Sequence, residues 1–172
     1  MAQSFEVLRK INVLNSYNRT YPIPRYITEV LRTSNANLIW LSKLNKKLLS
    51  NPIQTIIGFG IEDPALSNFV ENNGETHLID LDNFNINYNL DSMLGFLIAD
   101  SHIENISSIT TENLVANALS IYSHANVGLM LCGAIGRLAV VIIDKEIEDP
   151  AKVVYAEKLL EEFSQQTYEI LY

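Results

Sequence analysis

The chain has 172 residues, of which 48% are hydrophobic and 19% are charged, and its formal net charge is −8. This composition is typical of one globular domain with its own core and excludes a disordered chain. The 12 basic residues are scattered along an acidic sequence. The sequence therefore argues against a nucleic-acid-binding surface, which needs clustered Lys and Arg.

Cysteine usage and the apolar runs indicate a cytoplasmic protein. The single cysteine, Cys132, cannot form an internal disulfide, and residues 5–14 mix apolar and charged side chains, unlike a secretory signal. The longest apolar run, Val127 to Ile143, contains Arg137 and is short for a membrane span. We therefore expect this run to be a buried helix in which Arg137 pairs with a buried acid.

The first fifty residues are predicted to be helical. Ser4 is suited to cap a helix whose apolar side chains at 5, 8, 11 and 14 recur at helical spacing. After a proline-containing break, a second helical stretch begins at Pro24 and reaches about Leu49. The polar residues 33–35 could interrupt this second stretch.

A β-hairpin is predicted between Ile53 and Phe84. Short runs with strand character lie at 68–70 and 76–79, and the residues between them include Asn-Gly, which hairpin turns favour. A further β-branched run lies at 55–57. Because a two-stranded hairpin is not stable alone in water, we expect it to lie on the helices.

The remainder of the chain is predicted to be helical. Four segments are separated by Asn, Ser, Gly and Asp and lie near 91–100, 110–124, 127–143 and 150–171. The last has a strong start signal, because an acidic cap, Asp149, is followed by proline at the first helical position.

Oxygen-bearing side chains flank the predicted hairpin. Asp63 lies five residues before Asn68, and Asp80 follows twelve residues after Asn68. Because Asn68 opens the first strand and Asp80 ends the second, these side chains should converge at one mouth of the hairpin. Phosphoryl transfer uses such a set, in which one Asp takes the proton of the attacking hydroxyl while an Asn and a second Asp hold Mg²⁺.

The residues around the hairpin resemble a known family. The segment Gly60-Ile61-Glu62-Asp63-Pro64-Ala65-Leu66-Ser67-Asn68-Phe69-Val70 resembles the catalytic loop of the aminoglycoside phosphotransferase and choline kinase group, which reads His-x-Asp-x-x-x-x-Asn and then a hydrophobic pair. The segment His77-Leu78-Ile79-Asp80-Leu81-Asp82 is similar to the metal-binding segment that follows in these families, and in sugar and lipopolysaccharide kinases. The similarity covers about residues 25–100.

This resemblance implies the large carboxy-terminal lobe of the kinase-like fold. Such a lobe is a mainly helical α+β domain with a short hairpin that carries the site. The single domain would span residues 1–172. Its parts would be helices over 1–52, the catalytic loop and metal-binding hairpin over 53–84, and a helical subdomain over 85–172.

The resemblance also implies a role for each site residue. Asp63 would be the catalytic base, Asn68 and Asp80 the Mg²⁺ ligands, and Asp82 an auxiliary metal-binding acid. Asp91 resembles the Asp that opens the next helix and braces the catalytic loop, here the segment 60–64. The cofactors would be Mg²⁺ and ATP, and the acceptor would be a hydroxyl-bearing molecule that the sequence does not identify.

Each of these residues also has a plain structural interpretation. Asp63 and Asn68 are common turn and strand-start residues, and Asp91 is a good helix cap. Asp80 is also typical of a solvated strand end, and Asp82 of a surface charge. The three histidines, His77, His102 and His124, lack the spacing of metal ligands.

Two departures from the family pattern leave a second function open. Ile61 stands where the family has His. The sequence also lacks the Gly-rich strand-turn-strand of the family and the Lys that accompanies it. We interpret the segment 58–60 as a backbone bend. We therefore expect the amino-terminal lobe to come from a longer chain or from a partner. Otherwise, the surface of this chain that would contact that lobe should be covered in a homodimer. Alone, the chain should bind Mg-ATP at about millimolar strength or not at all.

The alternative function is a catalytically silent, kinase-derived binding or scaffolding module. A third interpretation is an unrelated helical protein in which the motif is coincidental.

Overall fold

A computed structural model describes residues 2–11, 17–20, 25–34, 36–61, 64–80, 84–104, 110–144 and 149–172. These residues form seven helices and two small antiparallel sheets. The helices are α1 (Ala2–Ile11), α2 (Arg25–Thr33), α3 (Ile39–Ser50), α4 (Leu90–Ile103), α5 (Thr111–Ile121), α6 (Val127–Ile143) and α7 (Pro150–Leu171). The strands are β1 (Tyr17–Thr20), β2 (Gln54–Ile61), β3 (Phe69–Asn72), β4 (Glu75–Leu78) and β5 (Phe84–Tyr88). The predicted class, mainly helical α+β, is confirmed in this general form.

The helices of the second half agree with the sequence prediction. The predicted and observed bounds of α6 and α7 are the same, and α4 and α5 differ from their predicted bounds by one to three residues at each end. The start of α7 uses the predicted signal, since the carboxylate of Asp149 accepts a hydrogen bond from Ala151 N at 2.9 Å. None of the described helices has both the length and the apolarity to cross a membrane.

The prediction of an all-helical first fifty residues is wrong at Tyr17–Thr20. This segment is β1, which pairs antiparallel with β2, and β5 pairs with β2 on its other edge. These partners are distant in sequence, so local patterns do not reveal the pairing. The helix α1 already begins at Ala2, which places Ser4 inside it as a buried residue rather than at its cap. The interruption allowed at 33–35 is observed as the break between α2 and α3.

The core is centred on the contact between α4 and α6. A Cβ atom at Gly95 would lie 1.7 Å from the carbonyl oxygen of Met130, and one at Gly133 would lie 2.3 Å from that of Ser92. The two helix backbones therefore touch at these glycines. Eleven of the 17 residues of α6 are buried, including Cys132 as predicted.

The helices α3 and α7 lie side by side on the outside of this core. The carboxylate of Glu161 accepts a hydrogen bond from Trp40 N at 2.8 Å, and the hydroxyl of Tyr172 donates to Asn51 O at 3.1 Å. The start of α3 thus lies beside the middle of α7, and the residue after α3 lies beside the residue after α7. The two helices therefore run in the same direction.

Candidate functional site

The predicted hairpin is present as β3 and β4. Phe69 pairs with Leu78 and Asn72 with Glu75, so the strands are joined by Asn73 and Gly74. These two residues have positive φ angles of 53° and 81°. Positive φ at both central positions is typical of the type I′ turn, whose twist matches that of the strands, and Asn-Gly is its preferred sequence.

The hairpin lies on the helices, as expected. The inward side chains of Phe69 and Leu78 are partly buried and pack against the hydrophobic core. At its side, α1 contacts β4, and the hydroxyl of Thr76 donates a hydrogen bond to Gln3 Oε1 at 2.6 Å. The hairpin is therefore held from two directions, and its mouth is fixed relative to the core.

Asn68 and Asp80 lie at the same mouth of the hairpin. Ile79 N donates a hydrogen bond to Asn68 O at 2.8 Å, which extends the ladder by one step beyond the first strand pair. Asp80, the next residue, is exposed and has a φ angle of 56°. Short polar side chains tolerate this left-handed conformation, which bends the chain sharply at the end of β4. Asp63 and Asp82, the other members of the predicted set, lie outside the described residues.

The described hydrogen bonds of Asp91 lie at the starts of α4 and α6. Asp91 lies in the first turn of α4, but the cap of this helix is Asn89, whose side chain accepts a hydrogen bond from Ser92 N at 2.8 Å. The predicted brace of the segment 60–64 stays a prediction, since residues 62 and 63 lie outside the described residues. In the described part of the chain, Asp91 accepts hydrogen bonds from Asn126 N, at 3.1 Å, and from the side chain of Asn89. Asp91 therefore ties the start of α4 to the start of α6.

Asp100 is the acid that holds the loop before the hairpin. Its Oδ2 accepts a hydrogen bond from Leu66 N at 2.7 Å, and its Oδ1 accepts two from Arg137, from Nε at 2.9 Å and from an Nη at 2.6 Å. Leu66 begins the single 3-10 turn that ends at Asn68. Asp100 thus connects α4, α6 and the turn that presents Asn68.

The sequence-based prediction that Arg137 pairs with a buried acid is confirmed. The sequence analysis did not identify Asp100 as that acid. The side chain of Asp100 is only 3% exposed, and that of Arg137 is 21% exposed. Arg137 is the single charge of α6, at 127–143, and Asp100 follows an apolar run in the second half of α4, at 90–103. Two such charges of opposite sign were the available signal, because a buried charge requires a partner.

The oxygen atoms at the mouth suit a hard cation. Among the described residues, no three His, Cys, Asp or Glu side chains form a group that could hold a metal ion. Asn68 and Asp80 offer an amide oxygen and a carboxylate. Mg²⁺ in proteins commonly takes one or two carboxylates and fills its other positions with water and substrate phosphates. Two such donors would therefore leave most positions around a Mg²⁺ ion to water or phosphate oxygens.

The position at which the kinase-like motif has His carries no polar side chain here. Ile61 is fully buried at the end of β2, and its N–H donates to the sulfur of Met93 at 3.3 Å. In addition, the sequence contains neither Lys nor Arg between Lys47 and Arg137. The loop and hairpin therefore have no cationic side chain of their own with which to bind a phosphate.

Burial of Asp91 should make stability depend on pH. Desolvation raises the pKa of this carboxyl from 3.8 to about 6, and the hydrogen bonds from Asn126 and Asn89 oppose the rise. Because the folded state holds this proton more tightly, Asp91 contributes most stability below about pH 4, and the contribution is lost as the pH rises through about 6. We expect Asp91→Asn to be more stable than the wild type at pH 7 by about 3 kcal/mol, and the difference to vanish near pH 4.

Urea unfolding of both proteins between pH 4 and pH 7 measures this difference. Glu71→Gln removes one carboxylate from an exposed position on β3 and should change stability by less than about 0.5 kcal/mol throughout. An Asp91→Asn protein that is less stable than the wild type at pH 7 would contradict the expectation.

Comparisons of the chain with protein-family models, with curated proteins and with solved structures each found no match. The resemblance to the kinase-like group therefore rests on the motif residues alone and stays a prediction.

Proposed function

We propose that the segment 63–82 forms the metal-and-hydroxyl site of a kinase-like phosphotransferase. The observation that supports this most strongly is the hydrogen bond from Ile79 N to Asn68 O (2.8 Å), since it pairs Asn68 with the residue directly before Asp80. Asp63 would orient the acceptor hydroxyl and take its proton. Asn68 and Asp80 would hold Mg²⁺, with Asp82 as an auxiliary acid, and the metal would offset the charge of the ATP phosphates.

Two further features support a site at this mouth. Asp80 holds a left-handed backbone conformation, which is uncommon for residues other than glycine and often occurs at functional sites. The turn that presents Asn68 is anchored by the buried carboxylate of Asp100 through Leu66 N. An anchored turn keeps the Asn68 side chain in place before the metal binds, which lowers the entropy cost of metal binding.

The second candidate is a catalytically silent binding module derived from a kinase-like protein. The buried Ile61 favours it, because this position cannot supply the polar contact that the family places there. The lack of Lys and Arg between Lys47 and Arg137 also favours it, since phosphate charge must then be met by the metal or by cations from elsewhere.

Metal binding at the mouth can be tested with Mn²⁺ as a paramagnetic substitute for Mg²⁺. We expect low concentrations of Mn²⁺ to broaden the amide NMR signals of residues 68 and 80 before others. Asp80→Asn should weaken this effect by at least about tenfold, because it removes the carboxylate but keeps a residue type that tolerates positive φ. Glu71→Gln, with the same loss of charge on the same hairpin, should leave it unchanged. Broadening that begins elsewhere, or that Asp80→Asn does not alter, would contradict the proposed metal site.

Calorimetry with Mg-ATP then tests whether the mouth binds the nucleotide. Binding of about millimolar strength that is lost in Asp80→Asn favours the phosphotransferase site over the silent module. Metal binding without nucleotide binding agrees with both functions, since most nucleotide contacts would come from an amino-terminal lobe.

A further inference from the structure

A cleft lies between α2 and α3, beside the connection that joins the two helices. Its volume is about 460 Å³, which is within the range of small-molecule sites. On the α2 side it is lined by apolar side chains, including those of Val30 and Leu31. On the α3 side it is lined by residues 39, 42, 43 and 46, which recur at helical spacing and so share one face of α3. The cleft thus combines an apolar wall with a wall that carries two lysines.

The charged side chains of this cleft are all positive. Of the described residues that line it, Lys43 and Lys46 are the charged ones, and both are exposed. In the described part of the chain, neither lysine forms an ion pair with Asp or Glu. The chain as a whole has a net charge of −8, so two neighbouring cations without an acid are unusual here. Such a pair attracts an anion that binds between them.

The ammonium group of Lys43 is positioned by the ring of Trp40. Lys43 Nζ lies 4.0 Å from the centroid of this ring. The π electrons attract the ammonium but do not neutralise it, so Lys43 keeps its full charge for an anion. A side chain that is already positioned loses less conformational entropy when a ligand binds.

Neutral hydrogen-bonding groups line the same cleft. The side chains of Asn37 and Ser42 have no hydrogen-bond partner among the described residues. Two acids of α7 reach this region but are engaged elsewhere. Glu157 accepts a hydrogen bond from Ser34 Oγ at 2.6 Å, and Glu161 accepts from backbone N–H groups at the start of α3. Neither glutamate lines the cleft, so neither closes it to an anion.

We propose that this cleft binds a phosphate monoester whose organic group is apolar. The phosphate lies between Lys43 and Lys46, since its charge of about −2 at pH 7 matches the two ammonium groups better than a single carboxylate does. Asn37 and Ser42 donate hydrogen bonds to its remaining oxygens. The organic group covers Ile39, which is 49% exposed in the unfilled cleft. No residue of the segment 63–82 lines this cleft, so the proposal does not depend on the proposed phosphotransferase function.

The test titrates phenyl phosphate into the 172-residue chain at low salt and follows the fluorescence of Trp40, the single tryptophan. An anion bound to Lys43 changes the charge distribution next to the ring and therefore its emission. We expect a dissociation constant of about 1 mM or below. Benzyl alcohol supplies the ring without the charge, and benzoate supplies one negative charge instead of two. Each should bind at least about fivefold more weakly than phenyl phosphate.

A matched pair of variants locates the binding. Lys46→Met removes one of the two cations, keeps the apolar stem, and should raise the dissociation constant at least about fivefold. Lys47→Met removes the same charge one residue further along α3. Lys47 Nζ lies 5.6 Å from the centroid of the Tyr172 ring, and Lys47 does not line the cleft, so this variant should change the constant by less than about twofold.

Circular dichroism shows that both variants keep the helical fold. Equal effects of Lys46→Met and Lys47→Met, or phenyl phosphate that binds no more tightly than benzyl alcohol, would overturn the proposed site. Benzoate that binds as tightly as phenyl phosphate would overturn the assignment of a phosphate.

Discussion

Gly95→Ala is expected to unfold the protein or to reduce its free energy of unfolding by more than about 3 kcal/mol. The new Cβ atom would lie 1.7 Å from the carbonyl oxygen of Met130 and 2.9 Å from Ala134 N. These are backbone atoms of α6, so no side chain can turn away to make room. The helices α4 and α6 would have to separate, and the core on both sides of them would lose its packing.

The same substitution at Gly128 provides a matched control within α6. There the added Cβ would meet the end of the Leu171 side chain at 2.5 Å. Leu171 is partly exposed and its methyl groups can move, so Gly128→Ala should change stability by less than about 1 kcal/mol. Chemical denaturation followed by circular dichroism compares the two variants. Equal stability of Gly95→Ala and Gly128→Ala would show that α4 and α6 are not in backbone contact.

Arg137→Met should cost about 3–5 kcal/mol of stability. Methionine keeps much of the apolar stem but removes both hydrogen bonds to Asp100 Oδ1, at 2.9 Å and 2.6 Å. The carboxylate of Asp100, 3% exposed, would then be buried without a counter-ion. Its one remaining hydrogen bond, from Leu66 N, cannot replace a full positive charge.

Lys152→Met is the matched control for Arg137→Met. Lys152 forms an ion pair with Glu104 at 3.5 Å, but the side chains are 39% and 48% exposed. Water screens such a pair, and its loss should cost less than about 1 kcal/mol. Adding Asp100→Asn to Arg137→Met should recover part of the stability, since the buried charge is then removed while an acceptor for Leu66 N remains. Arg137→Met with a cost no larger than that of Lys152→Met would contradict this account.

The same pair should control the order of the loop before the hairpin. Without Arg137, the Asp100 side chain is less fixed, and the hydrogen bond to Leu66 N should open more often. Hydrogen exchange at the Leu66 amide is therefore expected to accelerate in Arg137→Met more than in Lys152→Met. The turn that presents Asn68 is thus linked to the centre of the core.

Local sequence patterns determined the elements whose stability comes from neighbouring residues. The helix at 127–143 follows from an apolar run, α7 from Asp149-Pro150, and the hairpin from Asn-Gly between two strand-forming runs. Each signal acts within a few residues: a cap bonds the next turn, and a turn residue sets its own φ. For the same reason, the placement of Asn68 and Asp80 at one mouth could be predicted from the order of the strands.

Tertiary structure alone decided the contacts between residues that are far apart in sequence. The pairing of β1 and β5 with β2 joins segments separated by more than twenty residues. The strands β1 and β5 have only four and five residues, and their mixture of polar and apolar side chains does not predict the pairing. The use of Asp100 as the acid that binds Leu66 N depended on how α4 is rotated against α6. That rotation is set by where Gly95 and Gly133 let the two backbones touch, which is a property of packing and not of local pattern.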